Sequence, residues 1–409
     1  TGVQTCALPI FSTCGCWYTD TEFVLKGFQI MCGIAGFVND MPIDVKCPVL
    51  QRMTDMIAHR GPDSEGHYID EHAALGHRRL SIIDLGGGQQ PIYNEDGSKV
   101  ITFNGEIYNY QTLREELIAA GHTFTTKSDT EVLLHGYEQW GVDLLQRVRG
   151  MFTFVIWDKN KQELFGARDH FGIKPFYYAK MNGTFMYASE IKSLLRHPDF
   201  VKELNAEALK PYMTFQYPAI GETFFKGVYK LPEGHYFTYR DGKMDIHRYY
   251  DEDFREGKQK LGELVNSIDQ TVCDSVKAHR IADVEVGSFL SSGVDSSYVA
   301  AVARPQHTYS IGFGKGTYNE SQQAGELAEL LKLNNTAESL TDEEAFAAFP
   351  RIQWHLDEPD SNPSCVPLYF LSALAAKDVK VVLSGEGADE LFAGYIDYGV
   401  HTKFKPIKV

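Results

Sequence analysis

Two glycine- and serine-rich turns constrain the fold more tightly than any other feature of the sequence. Ser291-Ser292-Gly293-Val294-Asp295-Ser296-Ser297 follows directly on the β-rich run Val284 to Leu290. Ser384-Gly385-Glu386-Gly387-Ala388-Asp389-Glu390 follows on the apolar run Val379 to Leu383. Between them, helix-forming Ser296 to Ala303, apolar Tyr309 to Phe313 and helix-like Glu320 to Leu331 alternate helix with strand, which implies a mostly parallel, doubly wound sheet. Ligands of such sheets gather outside the carboxyl ends of the strands, where both turns lie. The first turn offers backbone N–H groups and hydroxyls to an anion at a helix start, where the dipole favours phosphate. It lacks the Gly-Lys-Ser/Thr ending of a Walker-A loop, so the usual P-loop reading fails. Asp295 and Asp389 would repel a phosphate unless a cation lay between, and Mg²⁺ held by one or two carboxylates plus phosphate oxygens fits that arrangement.

The residues ahead of this region follow a different pattern. Met151 to Trp157 and Glu163 to Ala167 read as antiparallel strands, and Pro175 to Ala179 pairs with Thr184 to Ala188 across Asn182-Gly183, a strong hairpin dipeptide. Gln111 to Ala120 and Asp129 to Trp140 read as helices, so this half is α+β. The charged stretch Asp251 to Lys260 reads as a linker, after which Leu264, Ile268, Val272 and Val276 recur at helical spacing. The expected division is therefore 1–31 leader, 32–240 first domain, 241–262 linker and 263–409 second domain. A length of 409 residues matches two or three domains at roughly 150 residues each.

Charge and composition exclude several classes of function. A net charge of −16 repels a phosphate backbone, so nucleic acid is not the expected partner. No apolar run approaches the ~20 residues a spanning helix needs, so no membrane partner is expected either. Seven cysteines, an odd number in a long chain, argue against a disulfide framework. Cys6, Cys14 and Cys16 crowd the first sixteen residues, three others read as structural, and no Cys-x-x-Cys pair supports a metal site built on cysteine. The first thirty residues have no basic residue before Lys26, no long apolar centre and no clear helical or strand period, so they are not a secretory signal. Thr1 to Ile10 resembles the translation of a sequencing-library adapter, which makes Met31 the expected start and the leader non-native or removed. At the other end, the strand, turn and helix of Leu383 to Tyr395 are followed by fourteen residues, which reads as a domain interrupted.

Cys32 stands immediately after Met31, ahead of two glycines in a small-residue run. A lone cysteine is most often a small buried hydrophobe. With Met31 removed, however, Cys32 has a free α-amine beside its own thiol, and an amine near neutral pKa can take the thiol proton. The other parts of a glutamine-hydrolysing site follow in order. Arg79 suits bidentate clamping of an α-carboxylate, Asn104-Gly105 offer a side-chain amide and a backbone N–H to an oxyanion, and Asp129 can hold an α-ammonium or cap a helix.

Together with His59-Arg60-Gly61-Pro62-Asp63 and Asn104 to Asn109, these residues resemble the class II glutamine amidotransferases, N-terminal-nucleophile hydrolases of αββα fold. The first turn likewise resembles the SGGxDSS pyrophosphate loop of the ATP pyrophosphatases. It departs at Ser292, where that pattern has glycine, at a cost of ~1 kcal/mol if the position needs φ > 0. A glutaminase followed by an ATP-pyrophosphatase domain is similar to the glutamine-hydrolysing asparagine synthetase family, with Tyr318-Asn319-Glu320-Ser321, Leu356-Asp357-Glu358-Pro359 and SGEGADE as further matches. The resemblance implies Cys32 as nucleophile and Asn104 and Gly105 as oxyanion hole. It places glutamine on Arg79, Glu106, Asp129 and the backbone near Ile82, with Arg60 structural. It implies ATP contacts at Leu290, Ile311, Ser384 and Gly385 besides Ser291, Ser292, Gly293, Asp295, Ser296 and Ser297. Glu386 is then the acid beside a β-aspartyl-AMP intermediate, and Asp295 and Asp389 the ligands of Mg²⁺.

The implied reaction amidates aspartate with ammonia passed internally from glutamine, in a cytoplasmic homodimer. In the family a further helical region supplies a catalytic lysine and part of the aspartate pocket. The 409 residues alone are therefore expected to bind nucleotide weakly and not to make asparagine. A related amidotransferase acting on another carboxylate, as in β-lactam synthesis, and a non-catalytic nucleotide-binding fragment are the alternatives.

Overall fold

The computed structural model describes residues 4–6, 31–217, 219–253, 257–313 and 320–395. Among these residues the strands assemble into three sheets. The first sheet runs in the order Val228–Lys230, Tyr177–Met181, Thr184–Ala188, Gly33–Val38, Ala73–Arg79 and Ser64–Ile69, with every neighbouring pair antiparallel. The second runs Lys243–Arg248, His235–Arg240, Glu163–Arg168, Gly150–Asp158, Lys99–Ile107 and Ile92–Tyr93, also antiparallel throughout.

Period-two alternation decides how these sheets stack. Ile34 enters a core with Leu75 and Tyr187 of its own sheet and Val155, Trp157 and Phe237 of the other. Its neighbours Ala35 and Phe37 point the opposite way, onto Val49, Leu50 and Met53 of the helix Ile43–Asp55. On the far side, Leu113 and Leu117 of the helix Tyr110–Ala119 and Val132 and Leu133 of the helix Asp129–Trp140 bury Phe152, Phe154 and Ile156. The layers are thus helix, sheet, sheet, helix, as the αββα expectation required. Asn182 and Gly183 both take positive φ, 50° and 85°, the backbone that a two-residue hairpin of the expected kind demands.

The third sheet is wholly parallel and runs Gln4–Cys6, Val381–Leu383, Val286–Phe289, His307–Phe313 and Asn334–Leu340. Two expectations change here. The leader, read as lacking strand character, contributes the edge strand Gln4–Cys6. The linker is shorter than 241–262, because Lys243–Arg248 pairs with His235–Arg240 and the helix Leu261–Ala278 has already begun by residue 261. Its alternation was hidden by charge, since Lys243, Asp245, His247 and Arg248 occupy an edge strand with solvent beside it. Tyr318 and Asn319, Cys14 and Cys16, and residues 396–409 lie outside the described residues.

The two domains meet through an apolar cluster. Leu80, Ile82, Ile83, Tyr108 and Met151 from the first domain pack with Val276, Ala303, Val381 and Leu383 from the second. Among the described residues no helix is long and apolar enough to cross a membrane.

Candidate active site

Cys32 precedes the first residue of the strand Gly33–Val38, at the edge of a cavity that it shares with Arg79, Ile82, Gly105, Glu106 and Asp129. Its thiol lies against the backbone of Leu80, donating to the carbonyl at 3.6 Å and accepting from the N–H at 3.4 Å. Burial pushes the thiol up to about 11, with only partial relief from the Leu80 N–H and the Arg79 and Arg60 guanidiniums. Arg60 holds the residue from behind, its Nε donating to the Cys32 carbonyl at 3.0 Å, consistent with a structural role. Met31 is itself buried in the cavity wall, with Lys174 Nζ 2.6 Å from its sulfur, and sequence reasoning gave it no place there.

Two side chains of opposite charge, Arg79 and Asp129, line this cavity. Arg79, at the end of the strand Ala73–Arg79, is fixed by one nitrogen on the carbonyls of Ile83 at 3.0 Å and Asp84 at 2.7 Å. Asp129 opens the helix Asp129–Trp140, whose cap is Ser128, the hydroxyl of which accepts from the Thr130 N–H. The cap of this helix is therefore Ser128 and not Asp129. The Asp129 carboxylate accepts from the Ile107 N–H at 3.0 Å, and burial pushes its pKa up to about 6. Asn104 is fully buried between the cavity-lining Phe103 and Gly105, and among the described residues neither of its amide atoms meets a partner. Gly105 cannot be replaced, since a Cβ there would lie 2.1 Å from the Met151 carbonyl oxygen. The Ile82 carbonyl is used elsewhere, accepting from Asp283 N–H at 2.9 Å across the domain interface. Gln90, which sequence reasoning missed, also lines the cavity and ties Phe103 to Thr130 through its side-chain amide.

A second, larger cavity opens at the carboxyl ends of the parallel strands. Leu290, Ser291, Gly293, Asp295, Ser296, Ile311, Ser384, Gly385, Glu386 and Asp389 all line it, as expected. Ser292 and Ser297 do not. Ser297 turns inward and donates to the Gly293 carbonyl at 2.6 Å, while Ser292 has no left-handed backbone and so incurs no cost for replacing glycine. Within the turn, Ser291 and Ser296 hydroxyls lie 2.8 Å apart and the Ser291 hydroxyl accepts from the Gly293 N–H at 3.0 Å. Gly385 brings the second turn against the first: a Cβ there would lie 2.6 Å from the Ser296 nitrogen. Burial and the charge of Asp389 raise the Asp295 carboxyl, and burial with Glu390 and Asp389 raises Glu386. Two acids made to share one cavity form a donor set that suits Mg²⁺.

A buried cysteine beside an arginine and an aspartate, on an αββα sandwich joined to a parallel sheet with paired glycine- and serine-rich turns, is the arrangement of a glutamine amidotransferase domain fused to a synthase domain. Residues 31–250 match the family described as glutamine amidotransferase domain, and residues 267–405 the family described as asparagine synthase. Asparagine synthetase (glutamine-hydrolyzing) 1 of Bacillus subtilis (strain 168) is 44% identical over 386 residues, covering 92% of this chain and 61% of its own. Asparagine synthetase (glutamine-hydrolyzing) 3 of the same organism is 33% identical over 391 residues, covering 89% and 63%. Among solved structures, the B. subtilis glutamine phosphoribosylpyrophosphate amidotransferase complexed with ADP and GMP aligns over 75% of this chain and 65% of its own, at 15% identity and a TM-score of 0.41. The chain belongs to the glutamine-hydrolysing asparagine synthetase family. It spans about three-fifths of the length of the two B. subtilis relatives.

Proposed function

We propose that the protein acts in ATP- and Mg²⁺-dependent transfer of the glutamine amide nitrogen to aspartate, giving asparagine, glutamate, AMP and pyrophosphate. The observation that carries this reading is the pairing, in one chain, of the Cys32 cavity with the nucleotide-type cavity through a continuous apolar contact. In the first cavity Arg79 takes the glutamine α-carboxylate and Asp129 the α-ammonium, which sets the side-chain amide over Cys32. The thiolate attacks the amide carbon, Asn104 Nδ2 and the Gly105 N–H take up the negative charge on oxygen, and the C–N bond breaks as ammonia leaves with a proton. Water then hydrolyses the thioester to glutamate and restores the thiol.

Ammonia released into water near neutral pH becomes mostly ammonium and ceases to be a nucleophile. A dry route avoids that loss. Leu80, which touches the Cys32 thiol, shares its cluster with Met151, Val276, Ala303 and Leu383, and Leu383 leads directly into Ser384 and Gly385. Asp295 and Asp389 would hold Mg²⁺, which supplies charge neutralisation to the nucleotide phosphates, and Glu386 faces the same cavity as the acid nearest the reacting carboxylate.

Two assays test the reading separately. Glutamate release from glutamine by the chain trimmed to begin at residue 32, lost when that cysteine is replaced by alanine, tests the first cavity. Asparagine formation from aspartate, ATP and ammonium tests the second, and pyrophosphate release with a different carboxylate in place of aspartate would move the acceptor assignment. Robust asparagine formation by the 409 residues would overturn the expectation that a further region is required.

A further inference from the structure

Away from both cavities, four side chains converge on the outer face of the first domain. Glu95 sits in the turn before the strand Lys99–Ile107, His122 follows the helix Tyr110–Ala119, and His135 and Glu138 lie one turn apart on the helix Asp129–Trp140. One donor atom from each lies within 4.8 Å of all the others. We propose that Glu95, His122, His135 and Glu138 form a binding site for one divalent transition-metal ion of the tetrahedral, zinc-like class.

The spacing separates a metal site from a set of ion pairs. His122 Nδ1 to Glu95, His135 Nδ1 to Glu95 and His135 Nδ1 to Glu138 are each 3.3 Å. Charge-assisted N–H···O bonds close to roughly 2.7–2.9 Å. Ligands at about 2.0–2.1 Å from a tetrahedral ion stand roughly 3.3–3.4 Å from one another. The three separations match that spacing, with Glu95 meeting His122 through Oε1 and His135 through Oε2.

The surrounding groups hold the donors in the form a metal requires. His122 Nε2 faces Gln139 Oε1 at 3.3 Å, and His135 Nε2 faces Glu131 Oε1 at 3.5 Å. An oxygen faces each outer nitrogen and orients the rings with Nδ1 toward the carboxylates, where an ion would take the place of the proton that Glu131, Glu138 and Glu95 favour on His135. Glu131 is fixed for this by the N–H and hydroxyl groups of Thr125 and Thr126, at 2.7–3.0 Å. Glu138 gives one oxygen to Asn94 Nδ2 at 2.7 Å and Lys99 at 3.3 Å, which leaves the other for the site. Glu95 is held by the Thr123 N–H at 3.0 Å.

The test uses the full 409-residue chain, stripped with a chelator and titrated with Co²⁺ in the visible range. Tetrahedral ligand-field bands saturating at one equivalent, without near-ultraviolet thiolate charge transfer and displaced by Zn²⁺, are expected. His122→Ala, at a side chain only partly buried, should weaken binding at least a hundredfold while circular dichroism stays unchanged. His122→Cys should restore the bands and add the thiolate transition. Absence of bands in the unaltered chain, equal affinity in His122→Ala, or thiolate transitions in the unaltered chain would each overturn the assignment, the last by placing the ion on cysteine.

Discussion

Cys32 and Asp129 both have environments that look unfavourable until substrate chemistry is added. In this sequence a peptide bond joins Met31 to Cys32, and the buried thiol, raised to about 11, has no base beside it. A chain beginning at Cys32 would place a free amine within reach of the sulfur, and only the thiolate is nucleophilic. Alkylation of Cys32 by iodoacetamide at pH 7 should therefore be slow in the chain as given, and should rise steeply above pH 9. After trimming to Cys32 it should become faster at pH 7, with glutamate release appearing in parallel. Equal rates in the two forms would remove the amine from the mechanism. Asp129 carries the opposite cost. Its folded pKa of about 6 exceeds the unfolded 3.8, so the folded state binds the extra proton between those values. The contribution of Asp129 to stability is greatest below about pH 4, falls as pH rises between about 4 and 6, and is flat beyond. Asp129→Asn keeps an acceptor for the Ile107 N–H and removes that cost. It should stabilise the chain by up to roughly 3 kcal/mol at pH 7–8 and by little at pH 4, while glutamine turnover is lost. Urea unfolding at the two pH values reads the difference directly.

At the scale of elements, the parts legible in the sequence are those whose local chemistry agrees with their tertiary setting. The helix Asp129–Trp140 begins where its Ser-Asp signal places it, and the strand Thr184–Ala188 pairs across Asn182-Gly183 as that dipeptide demands. Both phosphate-type turns were readable because glycine and serine at a strand-to-helix junction have few other uses. What stayed hidden was set from outside the segment. Asn334–Leu340 is polar along nearly its whole length and becomes a strand only because His307–Phe313 offers it a full parallel ladder. The helices Asp342–His355 and Cys365–Ala375 carry prolines, Pro350 and Pro367, that obscure their period. Cys47, read as structural, is exposed on the helix Ile43–Asp55. The contact of Gly385 with Ser296 was beyond any local signal, since it exists only once two turns 90 residues apart in sequence meet. That contact can be tested. Gly385→Ala drives a methyl into the Ser296 backbone and must separate the turns, so the affinity for ATP with Mg²⁺, measured by calorimetry, should fall at least tenfold. Glutamate release by the trimmed chain should be unchanged, and unaltered ATP affinity would show that the turns do not form one site.

Over the whole molecule, the two domains are joined by more than the apolar cluster. A buried chain of charges starts at the Cys32 carbonyl, which accepts from Arg60 Nε at 3.0 Å. It continues from Arg60 Nη1 to Glu190 at 2.9 Å, from Lys192 Nζ to Glu190 at 2.6 Å, and from Lys192 to Asp357 of the second domain at 2.9 Å. Against the cost of burial, His59, Lys192 and Arg60 hold the Glu190 carboxyl well below the usual carboxylate range. Asp357 has left-handed backbone, φ 56°, and accepts from the Ile191 N–H at 2.6 Å, so its position is fixed from both domains. An ion network of this kind adds little net stability over well-packed apolar residues, but breaking it from one side leaves charges buried without partners. Lys192→Met leaves Glu190 and Asp357 facing each other without their shared ammonium, and should destabilise the chain by roughly 3–5 kcal/mol. Glu190 keeps Arg60 and His59, so adding Asp357→Leu to Lys192→Met removes the charge left stranded and should recover part of that loss, making the pair strongly non-additive in a double-mutant cycle. Because Arg60 links Glu190 to the nucleophile, Asp357→Asn in the second domain should also lower kcat for glutamate release by the trimmed chain while KM for glutamine stays near its original value. Additive effects on unfolding, with glutamate release untouched by Asp357→Asn, would reduce the network to independent contacts with no coupling between the domains.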